Sequence, residues 1–138
     1  MDIIRSIVAV LGGIGLISIV VEALEFTLVN AVSGGTITDM QGYFAVRNQP
    51  AILVAKLGYN SVGAVLGGYL TAKVAGRQEM RHGWAAAIVQ TAGLVWGFTG
   101  GEFAAFTPVW MRIALVLVTG PAMLAGASIR ARAVRSGT

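Results

Sequence analysis

The sequence predicts an all-α polytopic membrane protein with four transmembrane helices and short loops. Apolar residues make up 56% of its 138 residues and charged residues only 12%, whereas soluble domains are about 25% charged. Four apolar stretches approach or exceed the roughly 20 residues that an α-helix needs to cross a bilayer. Because the connections are too short to bury a core of their own, we expect residues 1–138 to form a single transmembrane helical-bundle domain.

The first predicted span covers residues 3–32, and Ser33-Gly34-Gly35 ends it. Its apolar run is longer than the roughly 7 to 15 residues of a signal-peptide core, and its basic flank is weak, so we expect a retained helix. Residues 36–49 then place apolar side chains at helical spacing. This spacing predicts a short interfacial helix between the first two spans.

Pro50 opens the second predicted span, residues 50–74, as a first-turn proline. A compact basic turn separates this span from the third, which covers residues 84–100. The fourth span covers residues 109–129, and its Gly120-Pro121 pair predicts a kink. An even number of spans places both termini on the same side of the membrane.

The distribution of Lys and Arg predicts which side that is. Seven basic residues lie at the span ends near the termini, against three at the opposite ends. The seven are Arg5, Lys73, Arg77, Arg81, Arg130, Arg132 and Arg135, and the three are Arg47, Lys56 and Arg112. Since an excess of basic residues marks the cytoplasmic side, we expect both termini in the cytoplasm.

Ionisable residues interrupt three of the predicted spans near the same end. Glu22 and Glu25 lie in the first span and Lys56 in the second, and Arg112 lies in the fourth. In each span a charge lies 17 or 18 residues from a basic residue at the cytoplasmic end, or roughly 25 to 27 Å. We therefore expect one charged layer. A lone charge in hydrocarbon costs roughly 2.5 to 3.5 kcal/mol on insertion scales, so such residues pair or face water.

This charged layer supports two interpretations. In the first, Glu22 or Glu25 takes up a proton or cation, while Lys56 and Arg112 hold the alternate state or attract an anion. Asn60, on the same helix face as Lys56, is then a polar ligand. In the second, the charges are a static ion-pair network or reach water by snorkelling, and Asn60 is a hydrogen-bond donor between helices.

Small residues line up at heptad spacing on faces of all four spans. The glycines expected at helix contacts are Gly15, Gly63, Gly67, Gly93, Gly97 and Gly126. Small residues let helix backbones approach closely in lipid. Because these faces exceed what one bundle of four helices can use, we expect a homo-oligomer or a larger membrane complex.

Several other classes of protein are disfavoured. The chain has one His and no Cys, so we expect no metal site. We expect no enzyme activity and no cofactor, since Gly12-Gly13-Ile14-Gly15 lies in a predicted membrane helix without the preceding strand of a phosphate loop. The basic residues lack the interleaved aromatic side chains of a nucleic-acid interface. The lipid bilayer is therefore an expected partner, and nucleic acid is not.

Two runs of residues resemble known families. The run Gly67-Gly68-Tyr69-Leu70-Thr71-Ala72-Lys73-Val74-Ala75-Gly76-Arg77, followed by His82-Gly83, resembles a pattern in small uncharacterised four-helix bacterial membrane proteins. This resemblance implies a bacterial inner membrane without naming a chemistry. The run Asn60-Ser61-Val62-Gly63-Ala64-Val65-Leu66-Gly67, with Gly97-Phe98-Thr99-Gly100-Gly101, resembles parts of the small fluoride channels. That resemblance implies a functional role for Asn60.

Two functional hypotheses follow from these patterns. The first is a small homo-oligomeric channel or transporter for an ion or small polar solute. Its path would involve Glu22, Glu25, Lys56, Asn60 and Arg112. The second is a non-catalytic accessory or scaffold subunit of a larger membrane complex, in which the same residues hold helices together.

Overall fold

The computed structural model describes residues 2–101 and 104–137, and every regular element in these ranges is helical. The helices are α1 (Asp2–Ser33), α2 (Met40–Arg47), α3 (Pro50–Ala75), α4 (Glu79–Gly100) and α5 (Val109–Arg135), with a 3₁₀ turn at Ala104–Phe106. The predicted all-α class is confirmed. The short helix α2 lies between the first two long helices, within the predicted range 36–49.

Three of the described helices, α1, α3 and α5, are long and apolar enough to cross a membrane. The 22-residue helix α4 falls outside this set. Its first turn carries Glu79, Arg81 and His82, and glycines and polar side chains interrupt the rest of the helix. The three apolar helices suggest a membrane protein, and the predicted count of four spans is not confirmed.

The four long helices form a bundle in which α3 packs against both α1 and α5, and α4 packs mainly on α5. Near the start of α1, Ser6 Oγ and His82 Nε2 of α4 are 2.8 Å apart. At the same end, Arg5 Nε donates a hydrogen bond to the carbonyl of Val74 in α3 at 2.7 Å. We call this end of the bundle the terminal end. The opposite end, which carries α2 and the α4–α5 connection, is the α2 end.

Local signals set the helix boundaries near α2 and α3. The Asp39 carboxylate accepts a hydrogen bond from the backbone N–H of Gly42 at 2.7 Å and caps the start of α2. Pro50 is the first residue of α3, where its missing N–H costs no helical hydrogen bond. Gly76 ends α3 with φ of 72°, a left-handed conformation that favours glycine.

Close backbone contacts hold α3 against its neighbours. A Cβ on Gly67 would lie 2.7 Å from the carbonyl oxygen of Gly13 in α1. A Cβ on Gly126 of α5 would overlap the carbonyl of Val65 in α3. Gly63 is less crowded, since its Cβ would lie 3.4 Å from a methyl group of Val21. Small residues therefore permit the close approach of α1 and α5 to α3.

Three other glycines of the predicted contact faces have no close neighbour within the chain. A Cβ on Gly15, Gly93 or Gly97 would meet nothing within 4 Å, so these residues make no close helix contact within the chain. Heptad spacing identifies a face of small residues but does not say whether a neighbour covers that face. In α4, the buried side chains lie only within residues 83–87, near the start of the helix.

Candidate functional site

Glu25 is a buried carboxylate at the α2 end of the bundle. It lies where α1, α2 and α3 meet, and only 4% of its surface is exposed. Its Oε2 accepts hydrogen bonds from Lys56 Nζ and, at 3.2 Å, from the Tyr59 hydroxyl. Its Oε1 accepts a hydrogen bond from the Tyr43 hydroxyl at 3.4 Å. The carboxylate therefore forms an ion pair with Lys56 and has further donors from both α2 and α3.

Arg47 is a second buried cation beside Glu25. Its Nη1 lies 4.0 Å from Glu25 Oε1. Its Nη2 donates to the carbonyl of Phe106 at 3.0 Å and to the hydroxyl of Thr107 at 2.8 Å. Its Nε donates to the side-chain oxygen of Asn48 at 3.2 Å. Arg47 thus ties the end of α2 to the segment that precedes α5.

Aromatic and amide contacts reinforce this tie. The guanidinium carbon of Arg47 lies 4.4 Å from the centroid of the Phe44 ring, and that ring stacks on Phe106 with centroids 4.7 Å apart. Asn48 Nδ2 donates to the Phe106 carbonyl at 2.6 Å. We call the set Phe44, Arg47, Asn48, Phe106 and Thr107 the α2 latch. The latch holds α2 over the end of the bundle.

The surroundings shift the pKa of two α2 side chains. Burial and the negative charges of Glu25 and Glu22 raise the pKa of Tyr43 to about 12, so the phenol keeps its proton at neutral pH. Burial lowers the pKa of Arg47, and the charge of Glu25 opposes that change. Arg47 stays cationic because a guanidinium does not lose its proton in proteins. Tyr43 is therefore a hydrogen-bond donor to the carboxylate, and Arg47 is a nearby positive charge.

A half-open cavity of about 690 Å³ lies beside Glu25, between α1 and α4 and beneath α2. Its volume falls within the roughly 300 to 1,000 Å³ of small-molecule sites. The charged and polar lining residues are Ser18, Glu22, Glu25, Tyr43, Arg47, Lys56, Asn60, Gln90 and Thr107. Apolar side chains such as Ile17, Leu94 and Phe98 form much of the remaining wall. The bundle thus encloses a space with polar groups on several helices.

Two amides line the deeper part of this cavity, toward the terminal end. Asn60 is one helical turn beyond Lys56, and its Nδ2 donates to the Thr119 hydroxyl of α5 at 2.9 Å. Gln90 of α4 also lines the cavity, and its side chain makes no hydrogen bond to any residue that the structure describes. Because half-buried amides normally have partners, Gln90 is suited to bind water or a solute in the cavity.

An apolar cluster closes the cavity toward the terminal end. The cluster consists of Ile17, Val21, Ala64, Ala86, Ala87 and Met123. Ala64 and Met123 lie one turn beyond Asn60 and Thr119, so this cluster crosses the bundle below the two amides. The cavity therefore does not continue to the terminal end in this conformation.

The structure brings four of the five predicted path residues to one cavity and separates the fifth. The four are Glu22, Glu25, Lys56 and Asn60. Glu22 is exposed and makes no ion pair within residues 2–101 and 104–137. Arg112 is absent from the lining, since its Nε donates to the carbonyl of Thr107 at 2.6 Å. That carbonyl precedes α5 and lies within reach of Arg112, so Arg112 caps the backbone rather than meeting Glu25.

Sequence reasoning did not identify Arg47, Tyr43 or Tyr59 as site residues. Arg47 enters the sequence prediction only as a basic residue near a span end. Tyr43 and Arg47 are four residues apart and share one face of α2, and this spacing is the signal that could have placed both toward the bundle. The direction of α2 depends on Phe106 and Thr107, which are distant in sequence.

The terminal end carries a separate set of polar contacts. Asp2 and Arg77 form an exposed ion pair. A ring nitrogen of His82 lies 3.1 Å from the carbonyl of Gln78, and the other faces Ser6. Among the residues that the structure describes, no group of three His, Cys, Asp or Glu side chains could hold a metal ion.

No protein-family model, curated protein or solved structure matches the chain. The fold and the site define an all-α helical bundle with three helices that could cross a membrane and a charged cavity near the α2 end. Any more specific function has to be inferred from the geometry of that cavity.

Proposed function

We propose that the protein is a small membrane channel or transporter for an ion or small polar solute, and that the cavity beside Glu25 is its solute-binding site. The supporting observation is the buried Glu25–Lys56 ion pair at the wall of this cavity. Removing each charge from water costs several kcal/mol, which the pairing only partly offsets. Ionisable groups kept inside a membrane bundle are typical of ion or solute paths.

The polar side chains are arranged as a path into the bundle. Glu22 lies at the exposed rim, and the Glu25–Lys56 pair lies in the wall. Asn60 and Gln90 lie deeper in the cavity. Asn60 is about one helical turn, or 6 Å, beyond Lys56. A polar solute can bind Lys56 and the amides. A cation or proton that binds the Glu25 carboxylate would weaken its ion pair with Lys56. Binding of the solute and the strength of this ion pair are therefore coupled.

The apolar cluster at the base of the cavity favours a transporter over an open channel. A solute could reach the terminal end only if this cluster separated. Helix α4 is the element best suited to move, because its buried side chains lie within residues 83–87 and its second half borders the cavity. Movement of α4 away from α1 would open the deeper part of the path.

The proposal includes four spans, with α4 as the additional one, and both termini in the cytoplasm of a bacterial cell. The excess of Lys and Arg at the terminal end supports this orientation. It also includes self-association or docking in a larger membrane complex. Gly93 of α4 supports that part, because it is exposed and meets no neighbour within one chain.

A second candidate is a non-catalytic accessory or scaffold subunit. The observation that favours it is the complete set of donors around Glu25, which accepts from Lys56, Tyr59 and Tyr43. A carboxylate satisfied in this way can act as a fixed staple between α1, α2 and α3. In this role the cavity would hold only water.

A flux assay in liposomes separates the two candidates. Purified protein is reconstituted, and proton, inorganic-ion and small polar solute fluxes are measured for the wild type, Glu25→Gln and Glu22→Gln/Glu25→Gln. Glu79→Gln, the same change at the terminal end, is the matched control. The transport proposal predicts at least one flux above that of protein-free liposomes, which falls about tenfold or more in both cavity variants and persists in the control.

The opposite result is equally specific. If wild-type liposomes show no flux above the protein-free level, or if the cavity variants leave every flux unchanged while unfolding more easily in detergent, the transport proposal fails. A structural role in holding α1, α2 and α3 together would then account for the polar contacts around Glu25. Circular dichroism of each reconstituted variant confirms that loss of flux is not loss of helix.

A further inference from the structure

Lys73 and Arg130 lie at the same level of the seam between α3 and α5, near the terminal end. On this seam, Gly126 of α5 abuts the backbone of Val65 and Tyr69 in α3. Both helices run from the α2 end to the terminal end. Residues four positions further along, Lys73 after Tyr69 and Arg130 after Gly126, therefore come to the same level one turn closer to the terminal end.

These two cations have no acidic partner in the described ranges. The Nε of Arg130 is buried and makes no hydrogen bond there. Lys73 is exposed and makes no ion pair. Two like charges at one level repel each other, and a buried N–H without an acceptor is destabilising. An anion placed between the two side chains would remove both penalties.

We infer that Lys73 and Arg130 bind the phosphate group of an anionic phospholipid. A lipid fits better than a free ion because an apolar surface continues from the cations along both helices. Val62 and Leu66 precede Lys73 by eleven and seven residues, spacings that return to the same side of α3. They are 57% and 45% exposed, and Ile129, beside Arg130, is 53% exposed.

The lipid would lie with its phosphate at the terminal end and its acyl chains along Val62, Leu66 and Ile129. Both helices of the seam are among the three that could cross a membrane. The two nearest described carboxylates at this end do not compete, since Asp2 is paired with Arg77 and Glu79 lies beside Arg81 and Arg135. The remaining basic residues of the terminal end add long-range attraction for anionic lipid.

Native mass spectrometry of the purified full chain in detergent tests this site, with phosphatidylglycerol or phosphatidylcholine added to the micelles. The wild type is expected to retain phosphatidylglycerol in preference to phosphatidylcholine. Lys73→Gln and Arg130→Gln should each weaken phosphatidylglycerol binding about fivefold, the effect of one basic residue near an anionic lipid. Arg132→Gln, the same change on another face of α5, should bind as the wild type does, and Arg130→Lys should retain most of the binding.

Three results would overturn the inference. One is equal loss of lipid in Lys73→Gln, Arg130→Gln and the Arg132→Gln control, because charge alone would then explain binding. Another is equal retention of both lipids by the wild type. The third is complete displacement of phosphatidylglycerol by millimolar inorganic phosphate, which would identify a free anion as the ligand. Melting temperatures without added lipid verify folding, and Lys73→Gln, at an exposed position, remains informative if Arg130→Gln unfolds.

Discussion

Glu25 is stable in the largely apolar helix α1 because neighbouring side chains supply a countercharge and hydrogen-bond donors in place of water. Lys56 provides the countercharge, and Tyr43 and Tyr59 provide hydroxyl donors. Such a group is destabilising as soon as one charged partner is removed, since the other is left buried and unpaired. The stability of this buried site therefore depends on Glu25 and Lys56 together.

A double-mutant cycle measures this dependence. Glu25→Gln and Lys56→Met should each lower the free energy of unfolding by about 3 to 5 kcal/mol, because each leaves one buried charge without its partner. The double variant should lose far less than the sum of the two, because the Glu25–Lys56 pair is removed as a unit and the remaining buried cation, Arg47, keeps its hydrogen bonds to Phe106 and Thr107. Reversible unfolding in mixed micelles provides the measurement. The exposed pair Asp2→Asn and Arg77→Gln is the matched control and should change stability little. Strictly additive losses at Glu25 and Lys56 would contradict the buried pair.

Part of this site could be predicted from the sequence because lipid excludes charge. That argument selects Glu25 and Lys56 without a structure. It does not separate Glu22 from Glu25, since a spacing of three residues places them about 60° apart on the helix. In the structure this angle is decisive, because Glu25 is buried against α3 and Glu22 lies at the exposed rim. Arg47, and not Arg112, lies beside Glu25. The reason is the segment before α5, where the Phe106 carbonyl accepts a hydrogen bond from Arg47 and the Thr107 carbonyl accepts one from Arg112.

At the scale of elements, α2 is the helix whose position owes most to side-chain contacts. It has only 8 residues, too few to be stable alone. Arg47 makes four hydrogen bonds, of which two go to the neighbouring Asn48 and two join α2 to Phe106 and Thr107 before α5. Loss of these bonds should release α2 from the end of the bundle.

Hydrogen–deuterium exchange of Arg47→Met tests the α2 latch. Amides of residues 40–48 should exchange about tenfold faster or more, because hydrogen bonds to a charged group contribute about 1.5 to 3 kcal/mol each. Amides in the middle of α3 should keep their wild-type rates. Arg81→Met, which removes an equivalent charge at the terminal end, is the control and should leave α2 unchanged. Wild-type exchange in α2 of Arg47→Met would show that the latch does not hold this helix.

Helix α4 shows where sequence pattern and structure diverge. Its existence and its end at Gly100 could be predicted from the sequence, but it begins at Glu79, five residues before the predicted start, because the last part of the predicted basic turn is helical. Its partners could not, because Gly93 and Gly97 have the spacing of a contact face but meet no neighbour within the chain. Its charged first turn and frequent glycines also lower its hydropathy below that of the other long helices.

At the scale of the whole molecule, the order and type of the helices follow from apolar length, proline and glycine positions. The bundle arrangement depends instead on a few close contacts, such as Gly126 against Val65 and Gly67 against Gly13. Many other glycines have similar sequence surroundings. Which of them lie at a helix contact therefore depends on how the helices pack, and not on the local sequence. The cavity is likewise a consequence of where α1 and α4 stop touching, which no local pattern encodes.

Topology distinguishes four spans from three, and the absence of natural cysteine makes the measurement direct. Single cysteines at Gly35 and Gly137 are labelled in intact cells with a membrane-impermeant maleimide. Four spans with cytoplasmic termini predict labelling of Gly35→Cys from outside and of Gly137→Cys only after lysis. Labelling of both positions from outside would indicate three spans, with α4 in the cytoplasm. Labelling of Gly137→Cys alone would reverse the orientation.

Cysteine reactivity shows whether the half-open cavity beside Glu25 is polar and accessible to water. Asn60→Cys and Gln90→Cys line the cavity, whereas Val62→Cys and Ile88→Cys lie on outward faces of the same helices. In the reconstituted protein, a small water-soluble thiosulfonate should modify the two cavity cysteines about tenfold faster or more than the two outward ones. Equal rates at all four positions, or unreactive cavity cysteines in folded protein, would contradict a polar, water-accessible cavity.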